Sequence, residues 1–177
     1  MPSPLLDRLQ NDLSRLTLTD DARVWVYIAD RSLTVAECAL VERHLQVFTK
    51  GWAAHGKPLN AQTAIVASQI LILALDESGQ AATGCSIDAS VSMLKQICDL
   101  APSLNELDLF DRSWVLYASP VDPQDWSRAK LHDFWAMRKA GHLDDDVLIV
   151  DSTVSNVGAL RGAFVKRLAD SWHTHMW

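Results

Sequence analysis

The sequence is poor in cysteine and has no long apolar run. Its three cysteines, Cys38, Cys85 and Cys98, are an odd number at wide spacings, which argues against a disulfide framework. The longest apolar run covers residues 70–75, far short of the roughly 20 residues that a membrane-spanning helix needs. The N-terminus lacks the basic start and apolar core of a secretory signal. We therefore expect a soluble, cytoplasmic protein without membrane insertion.

Positive charge is scarce as well. The chain has 16 lysines and arginines against 22 acidic residues, for a net charge of -6. Because affinity for phosphate backbones comes from lysine and arginine, we expect no nucleic-acid partner. A chain of 177 residues, 49% of them hydrophobic, suits one domain with a substantial core. We interpret 1–177 as a single domain with a helical extension over 1–20, a core over 23–118, and a C-terminal extension and tail over 119–177.

Apolar spacing predicts two helices in the first third of the chain. Near the N-terminus, leucines recur at helical spacing at Leu5, Leu6, Leu9, Leu13 and Leu16. Thr34 and Glu37 form a capping box that predicts the start of a second helix. We expect that helix to end near His55 and Gly56. Its buried stripe should comprise residues three and four apart, namely Cys38, Val41, Leu45, Phe48 and Trp52.

The pattern over 23–118 predicts the fold class. Strands are expected over 23–29, 63–67, 70–75 and 113–118, with a further helix over 86–101. The resulting order is that of the ferredoxin-like split βαβ arrangement, β-α-β-β-α-β, with both helices on one face of an antiparallel sheet. We therefore predict an α+β fold with a C-terminal α/β extension and an added N-terminal helix.

A doubly wound parallel sheet is the alternative fold. Only Ser68 and Gln69 separate the second predicted strand from the third, and that spacing favours a tight antiparallel hairpin. Parallel neighbours need a crossover of a dozen or more residues. The short connection therefore argues against the parallel alternative.

Four short stretches resemble a known family. They are Asp76-Glu77-Ser78, Gly84-Cys85-Ser86-Ile87-Asp88, Asp108-Leu109-Phe110-Asp111-Arg112 and Ser171-Trp172-His173. Together they resemble a family of small uncharacterised bacterial proteins, some of which are labelled "ABC transporter ATPase". The resemblance covers roughly 23–177 and implies no established activity. A P-loop requires G-x-x-x-x-G-K-[ST], and none of the 7 glycines opens such a motif, so we exclude nucleotide hydrolysis of that type.

The loop from Asp76 to Asp88 is the densest candidate for catalysis. Cys85 is predicted at or next to a helix N-terminus, where the helix dipole and free amides favour a thiolate. Asp76 and Asp88 are the accompanying candidate catalytic residues, and Ser86 lies in the same turn. A cysteine nucleophile also needs a base, and the candidates are His55, His132, His173 and His175. The alternative interpretation is structural: a small packed cysteine, with Ser86 or Asp88 capping the helix.

Acidic residues suggest a second kind of site. Asp76, Glu77 and Asp88 frame the loop after the strand over 70–75, and Asp108 and Asp111 stand just before the strand over 113–118. Both strands are predicted in the same sheet, so these carboxylates are candidates to converge on a divalent cation. Helix caps and solvated loops are the ordinary alternative. Asp111 and Arg112 are interpreted as an ion pair or a loop clamp.

The tail supplies the last candidates. Trp172 and His173 are interpreted as binding residues, because exposed tryptophans favour interfaces. Two histidines in the tail are too few for a zinc site. We predict no bound metal and no cofactor.

These observations support three hypotheses. The first is a non-catalytic interaction module or assembly subunit with a protein partner or self-association. The second is a small enzyme or redox sensor that uses Cys85. The third is a divalent-metal-dependent enzyme built on the acidic cluster.

Overall fold

The computed structural model describes residues 4–122 and 124–176. Its helices are α1 (Pro4–Leu13), α2 (Val35–Gly51), α3 (Gly84–Gln96), α4 (Leu131–Lys139) and α5 (Val157–Ala163). Its strands are β1 (Arg23–Ile28), β2 (Ala53–Ala54), β3 (Lys57–Pro58), β4 (Asn60–Val66), β5 (Ile70–Asp76), β6 (Trp114–Ala118), β7 (Trp126–Lys130), β8 (Leu148–Val150) and β9 (Val165–Arg167). Among these described elements, no helix combines the length and apolar character needed to cross a membrane.

The first sheet has the order β1-β5-β4 and is antiparallel throughout. Ile72 pairs with Val26 on one side and with Ala64 on the other. All residues from Ile70 to Leu75 are buried, as predicted for a central strand covered on both faces. The α+β class, the antiparallel pairing and the β4–β5 hairpin are confirmed.

The fourth strand differs from the ferredoxin-like expectation, which is not confirmed. That arrangement would pair β6 with β1, but β6 belongs to a second sheet with the order β7-β6-β8-β9. The outer edge of β1 is occupied by other groups. Val24 N donates to Ser155 O at 2.9 Å, and Arg112 Nη1 donates to Val26 O at 2.6 Å. Because these groups use hydrogen-bonding positions on that edge, β6 pairs elsewhere.

The two sheets and their helices form successive layers. On one face of the first sheet, α2 and α3 bury side chains such as Leu45 and Leu94 against Leu71, so both predicted helices do share a face. The opposite face packs on α1 and on the second sheet. Phe134 of α4 covers the far side of the second sheet.

The predicted leucine stripe at the N-terminus is part of this core. Leu5, Leu9, Leu13 and Leu16 are buried against the first sheet, and Leu6 is half-buried. The N-terminal helix therefore docks on its own domain. Trp172 in the tail is 38% exposed, and Trp177 lies outside the described residues.

The second helix begins as predicted and ends earlier. Glu37 N donates to Thr34 Oγ1 at 3.2 Å, and Thr34 N donates to Glu37 Oε2 at 2.8 Å, so the capping box is present. The predicted end near residue 55 is wrong, because α2 stops at Gly51. His55 and Gly56 have φ of 51° and 76° and form the turn between β2 and β3. In the predicted stripe Val41, Leu45 and Trp52 are buried, whereas Cys38 and Phe48 are half-buried.

Burial on α2 predicts contrasting effects of truncation. Leu45 is 2% exposed and Val47 is 68% exposed. Leu45→Ala should lower the free energy of unfolding by about 2–5 kcal/mol because it leaves a cavity under the sheet. Val47→Ala should change it by less than about 0.5 kcal/mol. Urea unfolding followed by circular dichroism measures both values, and equal losses would contradict this placement of the helix.

Candidate functional site

Cys85 lies in the first turn of α3 with its side chain exposed. The helix N-cap is Thr83, whose hydroxyl accepts from Ser86 N at 3.4 Å, while Thr83 N donates to Ser86 Oγ at 2.8 Å. Ser86 is buried, and its hydroxyl is used in this hydrogen bond with the N-cap residue. Asp88 is exposed on the same helix. Within the described residues, no hydrogen bond or ring contact joins Cys85 to a histidine.

The acids that precede α3 are held by local hydrogen bonds. Asp76 accepts from Ser78 N at 2.9 Å and from Asn60 Nδ2 at 3.1 Å. Hydrogen bonding from Ser78, with a smaller effect of Asn60, lowers the pKa of Asp76 below its ordinary value. Glu77 accepts from Ala82 N at 2.9 Å. These carboxylates act as loop clamps.

Asp111 and Arg112 have separate partners. Asp111 pairs with Lys130 and accepts from Ser113 N at 2.8 Å, and these contacts, with Lys130 foremost, hold its pKa well below the ordinary value. The Arg112 guanidinium bonds to β1 and lies 4.9 Å from the centre of the Tyr27 ring. The two residues clamp different strands and do not form a pair. Among the described residues, no group of three or more histidine, cysteine or acidic side chains is arranged to hold a metal ion.

His173 is a core residue. It is 3% exposed, its ring is stacked on Trp172 with centroids 3.9 Å apart, and its Nδ1 atom has no partner in the described part of the chain. Asp151 and Lys166, which form an ion pair 2.8 Å long, both act electrostatically on its ring. Burial lowers the pKa of His173 to about 4, and Lys166 offsets the attraction of Asp151.

A groove between α2 and α3 is the surface feature that the sequence analysis missed. We call it the helical groove. It encloses about 360 Å³ and is lined by His44, Val47, Phe48, Ala89, Ser92, Met93 and Gln96. The helices run antiparallel, because His44 Nε2 lies 3.1 Å from Met93 O and Trp52 Nε1 donates to Ser86 O at 2.8 Å. These two bonds fix the width of the groove.

Apolar surface and positive charge meet at the helical groove. Val47 is 68% exposed and Leu40, two turns earlier on α2, is 38% exposed. By helical spacing Arg43 and Lys50 lie on the same exposed face of α2, and Lys95 is exposed on α3 next to the lining residue Gln96. None of the three has an ion-pair partner within the described residues. By helical spacing, Cys85 lies on the same face of α3 as Ala89, Ser92 and Gln96. Cys85 therefore marks one end of the groove.

The signal for this surface was present in the sequence. Leu40 and Val47 are apolar but lie outside the buried stripe of α2, seven residues apart, as an exposed apolar row on a helix would be.

Comparisons of the chain with protein-family models, with curated proteins and with solved structures found no match. The function is therefore inferred from these side chains.

The buried histidine predicts a pH dependence of stability. The unfolded chain takes up a proton at His173 near pH 6.5, whereas the folded protein does so only near pH 4. The unfolded state therefore binds more protons between these values, so stability falls as the pH falls. We expect a loss of roughly 2 kcal/mol between pH 7 and pH 5.

Urea unfolding at the two pH values measures this loss. The His173→Gln variant should have a flatter profile, whereas His142→Gln, at an exposed position, should keep the wild-type slope. A profile that is unchanged in His173→Gln would contradict the assignment.

The three cysteines should differ in reactivity. Cys38 and Cys98 are half-buried, and burial raises the pKa of both thiols, which reduces the reactive thiolate. Iodoacetamide at neutral pH should modify the exposed Cys85 at least about ten times faster than either of them. Peptide mass spectrometry over time measures the rates, with Cys85→Ser as the control. Modification of Cys38 at the rate of Cys85 would contradict the burial.

Proposed function

We propose that this chain is a non-catalytic interaction module and that its helical groove binds an acidic, amphipathic segment of a protein partner. The observation that carries the proposal is the combination of exposed apolar side chains and unpaired cations along the groove. A cytoplasmic location is part of the proposal, because all three cysteines are free and free thiols suit a reducing compartment.

Apolar anchoring supports the proposal. A partner helix docks in a groove through apolar side chains three, four and seven residues apart. A volume of about 360 Å³ accommodates one or two such anchors beside Val47 and Ala89. Burying the exposed part of Val47 would stabilise the complex by about 25 cal/mol for each Å² of apolar surface removed from water.

Charge supports an acidic partner. The chain as a whole carries a net charge of -6, yet Arg43 and Lys50 share the exposed face of α2 with Val47 by helical spacing, and Lys95 follows the lining residue Ser92 on α3. None of these cations has an ion-pair partner in the described part of the chain. Complementary charges at the rim of an interface increase the association rate and select the partner. An acidic segment satisfies these cations, whereas a basic segment is repelled by them.

Cys85 supports a second candidate function, a thiol enzyme or redox sensor. Its side chain is exposed in the first turn of α3, next to the backbone amides of a helix N-terminus. Alkylation separates the two candidates. A Cys85 rate at least about tenfold above that of free glutathione at the same pH would favour thiol chemistry, and a rate equal to that of glutathione would favour the binding module.

A designed peptide tests the binding proposal. The probe is a fluorescent helical peptide of about five turns with leucine anchors at helical spacing and glutamate elsewhere. Fluorescence anisotropy should detect binding that weakens with added salt, because the rim charges are exposed. Val47→Asp should weaken binding at least about tenfold.

Two controls accompany this test. Val121→Asp alters an equally apolar residue, 90% exposed, away from the groove, and should leave affinity unchanged. A peptide with lysine in place of glutamate should not bind. Equal binding of the two peptides, or no binding of either, would overturn the proposal. Light scattering that shows a dimer disrupted by Val47→Asp would identify a second copy of the chain as the occupant instead.

A further inference from the structure

A second concave surface lies at the tip of the β4–β5 hairpin, where α1, the loop before α2 and the start of β7 meet. We call it the hairpin-tip cavity. It encloses about 500 Å³, and its lining includes Arg8, Asp12, Ser32, Ser68 and Asp125. The hairpin-tip cavity shares no lining residue with the helical groove, so the two are separate surfaces.

The wall formed by the hairpin is held in an unfavourable conformation. Ala67 and Ser68 have φ of 51° and 55°, the left-handed region that non-glycine residues seldom adopt, at a cost of about 1 kcal/mol or more each. The predicted turn at Ser68 and Gln69 is thus centred one residue earlier. Residues in such a conformation persist where the surrounding structure over-determines them.

Three hydrogen bonds from three different elements hold this tip. Asp12 Oδ2 of α1 accepts from Ala67 N at 3.0 Å. Leu33 N donates to Ser68 O at 2.7 Å. Arg128 Nη1 of β7 donates to the Oε1 atom of the buried Gln69 at 2.7 Å. The wall is therefore rigid before any ligand arrives, and a pre-organised wall reduces the entropy lost on binding.

The cavity combines opposite charges with an apolar floor. Arg8 is exposed and has no hydrogen-bond or ion-pair partner within the described residues. Asp12 lies one helical turn after it, so the two side chains are about 5–6 Å apart at Cβ. Asp125 adds a second carboxylate. The floor consists of buried apolar side chains, namely Leu5, Leu9, Leu33 and Trp126.

We propose that the hairpin-tip cavity binds a free α-amino acid with an apolar side chain. The ligand carboxylate meets the Arg8 guanidinium, which pairs well with carboxylates. The ammonium meets Asp12 and Asp125. The side chain packs on the leucines of the floor. A carboxylic acid without an amine leaves both carboxylates without a cation, and an amine alone leaves Arg8 without an anion, so the zwitterion is the best complement.

The test uses the full-length protein with L-leucine as the probe. Two-dimensional NMR should show saturable shifts at Leu9, Ser32 and Ser68. N-acetyl-leucine and leucinamide each remove one charge of the zwitterion, and each should bind at least about tenfold more weakly than leucine, because a charge-assisted hydrogen bond is lost. Leucinamide binding as tightly as leucine would overturn the proposal in favour of a peptide N-terminus.

Variants assign the two charges. Arg8→Gln should weaken leucine binding at least about tenfold but leave leucinamide binding unchanged. Asp12→Asn should also weaken leucine binding at least about tenfold, but it should leave N-acetyl-leucine binding unchanged. The asparagine keeps an oxygen that accepts from Ala67 N, so the hairpin remains held; unaltered thermal unfolding checks this. Arg43→Gln, at the helical groove, is the matched control and should bind leucine normally. Absence of saturable shifts at tens of millimolar leucine, or equal affinity in all three variants, would overturn the proposal.

Discussion

The burial of β5 on both faces is the constraint from which the architecture follows. Each residue from Ile70 to Leu75 is at most 2% exposed, and successive side chains of a strand point to opposite faces. Leu71 and Leu73 must therefore be covered from one side, and Ile70 and Ile72 from the other. The helices α2 and α3, together with Trp52, Ala54 and Leu59 in the segment after α2, cover the first side. The second side requires α1 together with the second sheet, which is why the N-terminal and C-terminal segments are integral to a single core.

The outer edge of β1 connects the two halves of the chain. Hydrogen bonds from Arg112 and to Ser155 occupy positions where a fourth strand would otherwise pair. An unpaired edge is a template for association with other strands, so this occupation also protects the first sheet.

Several polar residues that the sequence offers as candidate site residues have structural roles in the folded protein. Ser86 caps a helix, Asp111 holds Lys130, and His173 packs in the core.

Both candidate binding surfaces lie where neighbouring layers leave space. The helical groove is the gap between two helices whose separation is set by the His44–Met93 and Trp52–Ser86 contacts. The hairpin-tip cavity is the gap left where α1 and β7 meet the end of the first sheet. The two surfaces differ in chemistry. The groove has exposed apolar side chains and a basic rim, whereas the cavity has mixed charge and an apolar floor. A protein segment suits the first, and a small zwitterion suits the second.

Local patterns in the sequence determined the elements. The Thr34–Glu37 capping box, the leucines of α1 and the short β4–β5 connection act between residues close in the chain, so their consequences are readable without the fold. Tertiary structure decided what those patterns cannot encode. The partner of β6 depends on which groups reach the edge of β1. Arg112 is 86 residues from Val26 in sequence, and Ser155 is 131 residues from Val24, yet each is hydrogen-bonded to that residue. The same holds for the burial of His173, because burial depends on the neighbours that distant segments supply.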